Sequence, residues 1–384
     1  MNFKDIYKEI VFNKENHSKG DYNCIPFMGM ERLERYLPGI EQATMYLIGA
    51  STGIGKSKLC RYLFIHNPIK YVQDNPLQDI KLDILYFSLE ESKRKVILAE
   101  ISKYLYTKHN EVVSIKDIAS IGRYNTISSE ILLKVKDSEE HVNSFLSKVQ
   151  IVDNIKNATG IYKYVRDFAL SIGTYYDKNE NPLSMEEINN IRNAVGQDFK
   201  KIDKYKTYNK KHYVIVILDH LSLLQPENGE TLWQTMGKMS SNYGLHIRDK
   251  FGFTPVFVQQ MSAAKEAIEV NFQGKTIEEK LEPSLDSFGD NKTITRDANV
   301  VLGLFAPDRY KIQEHNGYDI TVFRDMYRSL SLLKSRDGEA NKKLPLFFNG
   351  AVDFFKELPR QEDKINMKKV YMYIEELKQK QLNK

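Results

Sequence analysis

The richest chemistry in the chain lies in nine consecutive residues, Gly49-Ala50-Ser51-Thr52-Gly53-Ile54-Gly55-Lys56-Ser57. They fit the phosphate-loop pattern G-x-x-x-x-G-K-[ST], with Ala50 in place of the first glycine and Gly49 just before it. In such a loop, consecutive backbone N–H groups curl around a phosphate at a helix N-terminus, where the helix dipole also favours negative charge. Ala50, Ser51, Thr52, Gly53, Ile54 and Gly55 form that cradle. Lys56 reaches the β- and γ-phosphates, and the Ser57 hydroxyl ligates Mg2+.

Two carboxylates complete the set. A magnesium ion needs an acid on a neighbouring strand end, and Asp219 closes the apolar run 213–218. Hydrolysis needs a group to orient the attacking water. Glu90 follows the apolar segment 84–89, and in a parallel sheet its carboxylate emerges on the phosphate-loop edge. Its neighbour Glu91 points elsewhere. Read from these residues alone, the chain is a nucleoside triphosphatase.

These groups need a sheet to hold them. Apolar runs at 45–48, 84–89, 150–152, 213–218, 254–258 and 300–305 read as strands. Helical patterns intervene, the clearest being Leu232, Met236, Met239, Tyr243 and Ile247 on one face. Alternation of this kind predicts an α/β fold with a mainly parallel sheet flanked by helices. Residues 329–334 and 344–348 read as a final antiparallel strand pair. Residues 175–212 are polar, end in a lysine-rich run and read as an insertion. Residues 3–12 form one helical face (Phe3, Ile6, Tyr7, Ile10, Val11), followed by a polar linker. That helix packs either on its own domain or on a neighbouring subunit.

The segments occur in a telling order: 37–57 (LPGIEQATMYLIGASTGIGKS), 86–91 (YFSLEE), 214–224 (VIVILDHLSLL), 255–262 (PVFVQQMS) and 332–338 (LLKSRDG). This order resembles the RecA-like P-loop motor of DnaB-type replicative helicases and the helicase half of phage primase–helicases. The resemblance spans roughly residues 25–358. It implies an ATP-dependent DNA helicase that moves 5′ to 3′ on single-stranded DNA as a ring, by family habit a hexamer, with ATP and Mg2+ as its cofactors. By position it makes Glu90 the catalytic glutamate, Asp219 the Mg2+-linked aspartate and Gln260 the γ-phosphate sensor. Lys334 and Arg336 become the pair that enters the next subunit's ATP site, Arg336 as the arginine finger. The DNA loops follow the Asp219 and Gln260 strands. Lys265, Lys275, Lys292 and Arg296 on the second are the candidate phosphate contacts, whereas the first, 225–231, has Glu227 and Glu230 and no cation.

Three parts follow: an N-terminal helix and linker (1–23), the motor (24–359) and a C-terminal helix with a basic tail (360–384). The stretch before Phe27 is too short for the N-terminal domain or primase of such proteins, so primase or a loader is an expected partner rather than a fused module. Two rival readings stand beside the helicase. One is a RecA-like, DNA-stimulated ATPase without unwinding, such as a recombination mediator or loader. The other is a subunit that uses nucleotide only to set its assembly.

Composition is compatible with all three. The chain has 384 residues, 41% hydrophobic and 28% charged, with net charge +5 from 56 basic and 51 acidic residues. That permits a polyanionic partner without demanding one. No apolar run has membrane-spanning length. Two cysteines, Cys24 and Cys60, cannot build a disulfide framework, which points to a reducing, cytoplasmic setting. The single-motor form implies, by the same resemblance, a phage source and a bacterial host cytoplasm.

Overall fold

The apolar runs form strands that we number in chain order. These are β1 (Tyr46–Ala50), β2 (Lys81–Ser88), β3 (Val149–Val152), β4 (Gly173–Tyr176), β5 (Lys204–Thr207), β6 (His212–Asp219), β7 (Thr254–Gln260), β8 (Val300–Phe305), β9 (Tyr327–Ser335), β10 (Lys342–Asn349) and β11 (Phe354–Glu357). The computed structural model describes residues 2–184, 186–188, 204–227, 229–261, 281–289 and 292–382. Nine of the strands make one sheet in the order β11-β10-β9-β8-β1-β7-β6-β2-β3. From β8 to β3 all neighbours are parallel. β9, β10 and β11 extend it antiparallel. The antiparallel part thus has three strands where the sequence predicted two. The third is only four residues, FFKE, too short to show an alternation of its own.

The sheet is buried on both faces, and the period-2 side-chain alternation divides its residues between them. Ile48, Tyr86, Ile217 and Val258 pack on one face with Leu59, Leu63 and Phe64 of helix α2 and its continuation. Leu47, Phe87, Leu218 and Phe257 pack on the other with helices α4 and α5. The helices are α1 (Phe3–His17), α2 (Lys56–Arg61), α3 (Lys93–His109), α4 (Ala158–Ile172), α5 (Leu232–Lys238), α6 (Lys292–Asp297) and α7 (Lys364–Leu382). α2 runs on through a wide turn at Tyr62–His66 into Asn67–Asp74, and α5 through one at Met239–Gly244 into Leu245–Asp249.

Three peripheral parts bear on function. α1 buries no residue against the rest of the chain, which removes the own-domain alternative left open by its sequence. α7 packs on the antiparallel strands, with Met367, Ile374 and Leu377 against Tyr327 and Phe347. The insertion is framed by the antiparallel pair β4–β5, anchored where the Tyr205 hydroxyl donates to the Ala169 carbonyl at 2.6 Å. None of the described helices is long and apolar enough to cross a membrane.

Candidate ATP site

The phosphate loop leaves the C-terminal end of β1 and enters α2 at Lys56. Two of its glycines have positive φ, Gly53 at 77° and Gly55 at 106°. Only glycine takes such values freely. A Cβ on Gly55 would also come within 3.0 Å of the Phe348 ring. The loop is therefore held from beneath by β10 as well as bent by its own backbone. Arg328 of β9 completes the support. Its buried guanidinium donates Nε to the Ile54 carbonyl at 2.8 Å and lies over the Phe348 ring, 4.4 Å from its centroid. Burial lowers the Arg328 pKa to about 10. Arg309 donates to the Thr52 carbonyl from the outer side.

Ser57 and Asp219 meet at the end of β6. The Ser57 hydroxyl donates to Asp219 Oδ1 at 2.9 Å, and the Tyr86 hydroxyl donates to Oδ2 at 2.9 Å. Asp219 is buried beside Lys56, which is also buried. Burial pushes the Asp219 carboxyl up, opposed by Arg61, Ser57, Tyr86 and Lys56. A hydroxyl and a carboxylate side by side form an oxygen set suited to a hard divalent cation. The ion would take the places that these two groups now fill for each other.

β2 and β6 end in register, Ser88 opposite Asp219, and the Leu89 N–H donates to the Asp219 carbonyl at 2.7 Å. The next residue, Glu90, is therefore at this edge. Its side chain is 54% exposed, with Oε2 3.6 Å from His220 Nε2. His220 is buried and its pKa is lowered to about 4, first by burial and then by Lys56. Glu91 turns away and pairs with Arg61 at 2.6 Å. Gln260 lies opposite Ala50 across the β1–β7 pair and is exposed. Its neighbour Gln259 is buried, with Nε2 donating to the Phe288 carbonyl at 3.2 Å.

Lys334 and Arg336 are not at this edge. In the β8–β9 and β1–β8 pairings, Lys334 is opposite Val301, which is opposite Leu47, near the start of β1. They lie roughly 10 Å along the strands from Ala50 and two strand spacings across. Lys334 Nζ donates to the Thr295, Arg296 and Ala298 carbonyls at 2.7–2.9 Å, and Arg336 Nη2 to the Arg296 carbonyl at 2.8 Å. Lys292 and Arg296 are exposed on α6, and Lys265 and Lys275 lie outside the described residues.

Sequence reasoning missed Arg61, Tyr86, His220, Arg309 and Arg328. Only Arg61 left a readable trace: it follows Ser57 by four residues, so both share one face of α2. The others act through strands that meet only in the fold.

No family model matches the sequence, and no curated protein does either. Solved structures do match. The ATPase domain of a helicase superposes with a TM-score of 0.62 at 18% identity, covering 92% of this chain and 98% of that one. A DnaB-like replicative helicase, described with its interactions with primase, gives 0.59 at 18% identity over 90% of this chain and 67% of that one. The phosphate loop, the parallel sheet and these superpositions agree: the chain has the RecA-like fold of DnaB-type helicase motors.

Proposed function

We propose that the protein is an ATP-dependent DNA helicase that moves 5′ to 3′ on single-stranded DNA as a ring, hydrolysing ATP at subunit interfaces. One observation carries the reading. Lys56, Ser57, Glu90 and Asp219 gather at one edge of the sheet, while Lys334 and Arg336 lie at its far end, out of reach of their own phosphate loop. A second copy offers the simplest way to unite them.

In this reading the loop amides and Lys56 bind the phosphates, and Ser57 and Asp219 would hold the Mg2+. That ion neutralises phosphate charge when bound. Glu90 orients the attacking water and accepts its proton. Gln260, opposite the loop's first residue, is placed to register the γ-phosphate. Arg336 of the adjacent copy stabilises the charge that develops on the transferred group. Lys292 and Arg296, with Lys265 and Lys275, are the proposed phosphate contacts to DNA. A primase or loader remains a partner proposed by likeness.

A forked-duplex strand-displacement assay tests the function. The expected result is ATP-dependent unwinding that disappears in Lys56→Ala. DNA-stimulated ATP hydrolysis with no unwinding would replace the helicase by the non-unwinding ATPase.

A further inference from the structure

We propose that Trp233 is a stacking platform for the bases of single-stranded nucleic acid. The proposal rests on the reading above, that the chain moves along a single strand, and names a side chain that would touch the bases.

The loop 225–231 leaves β6 just beyond Asp219 and leads into α5. In the sequence its two acids and lack of cations make it a poor partner for a polyanion. The structure turns both acids inward. Lys238 Nζ is 2.8 Å from Glu227 Oε2 and 2.9 Å from Glu230 Oε1. The Thr159 hydroxyl donates to Glu227 at 2.6 Å, and the Asn157 amide donates to it as well. With their charge paired in this way, the loop's acids no longer repel phosphate.

What remains outward here is apolar. Trp233, on the first turn of α5, is 52% exposed, and Leu232 and Leu223 are partly exposed near it in the chain. It is the chain's sole tryptophan. Helix α6 packs against α5 and is tied to its continuation where the Ser240 and Ser241 hydroxyls donate to Asp297. α6 carries Lys292 and Arg296, each with a side chain 74% exposed. Their acidic neighbours are long contacts, Asp286 at 3.5 Å and Asp297 at 3.6 Å.

An aromatic face and exposed cations on adjoining helices are what sequence-tolerant single-strand binding uses: the cations follow the backbone, and the ring stacks on whichever base arrives. Every base has a π-face, so such a contact suits a motor that must pass all sequences. The cations favour a polyanion over an apolar patch of a second copy.

The test uses the full chain with a non-hydrolysable ATP analogue and a dye-labelled oligo-dT. Anisotropy reports binding, and tryptophan emission reports Trp233 alone. Emission is expected to be quenched with the same midpoint as the anisotropy rise. Trp233→Ala should weaken binding about tenfold or more, and Trp233→Phe should keep most of the affinity. Binding with unmoved emission and unchanged affinity of Trp233→Ala overturns the stacking proposal and leaves the motor reading intact. Failure of the wild-type chain to bind oligo-dT overturns both. A change of sedimenting species in Trp233→Ala, with affinity retained, overturns it too and assigns the residue to a contact between copies instead.

Discussion

Asp219 shows how the site is set residue by residue. Its two oxygens are fixed by different elements, Oδ1 by Ser57 of α2 and Oδ2 by Tyr86 of β2. Tyr86→Phe removes a buried donor and leaves that oxygen unpaired. It is expected to cost about 1–3 kcal/mol in urea unfolding. A cost near zero would show that Tyr86 contributes nothing to holding Asp219. Glu90 differs in being half exposed and free to meet a substrate water. Glu90→Gln is expected to lower kcat by about 10²–10⁴-fold while nucleotide affinity, read with a fluorescent ATP analogue, stays within a few-fold. Loss of affinity in step with kcat would move Glu90 from the chemistry to binding. The phosphate loop, Asp219 and Glu90 were legible in the sequence because local spacing sets their chemistry. Arg328 was not. Its role depends on β9 passing beneath the loop, and nothing within the YRSLSLLKS segment records that neighbour.

Between elements, the joint to watch is the one that ties α2 to the turn joining β10 and β11. Arg61 Nη2 and Lys58 Nζ each lie 2.6 Å from Asp353, and Arg61 and Asp353 are both buried. Burial alone would push the Asp353 carboxyl up; Arg61 and Lys58 outweigh it and hold it well below the usual carboxylate range. Removing one partner of a buried pair leaves the other charge uncompensated, so Asp353→Ala is expected to cost about 3–5 kcal/mol. The sign of the pH dependence follows from the lowered pKa. The folded chain binds this proton less readily than the unfolded one, so the stabilisation is full above about pH 4 and fades as pH falls below it. Unfolding curves of wild type and Asp353→Ala should therefore converge in acid. A gap that stays constant from about pH 7 down to about pH 2 would contradict the pairing. Most strands and the long helices were legible as apolar runs and faces. The wide turns within α2 and α5 were not, because a wide turn changes backbone hydrogen bonding without disturbing the apolar pattern. Nor was β4–β5, whose pairing is made by Tyr175 and Tyr205 on either side of a polar stretch.

At the scale of the molecule, two features of the chain are left without partners of the kind they suit. α1 presents Phe3, Tyr7 and Ile10 to solvent, and Lys334 and Arg336 cap backbone carbonyls far from their own phosphate loop. Both are accounted for by a second copy. Removing residues 1–23 is expected to lower the sedimenting species while the melting temperature of the remaining chain holds, since α1 buries nothing within it. An unchanged oligomer would remove α1 from the interface. The shared site is the central claim, and mixing two inactive variants tests it most directly. Arg336→Ala subunits keep Glu90, and Glu90→Ala subunits keep Arg336, so an interface between them can hold one complete site. Each variant alone should be inactive, an arginine finger being worth about 10³–10⁵-fold in kcat. Mixed and reassembled, the two should recover ATP hydrolysis, highest near equal proportions. No recovery at any ratio, with assembly intact, would contradict a site built from two subunits.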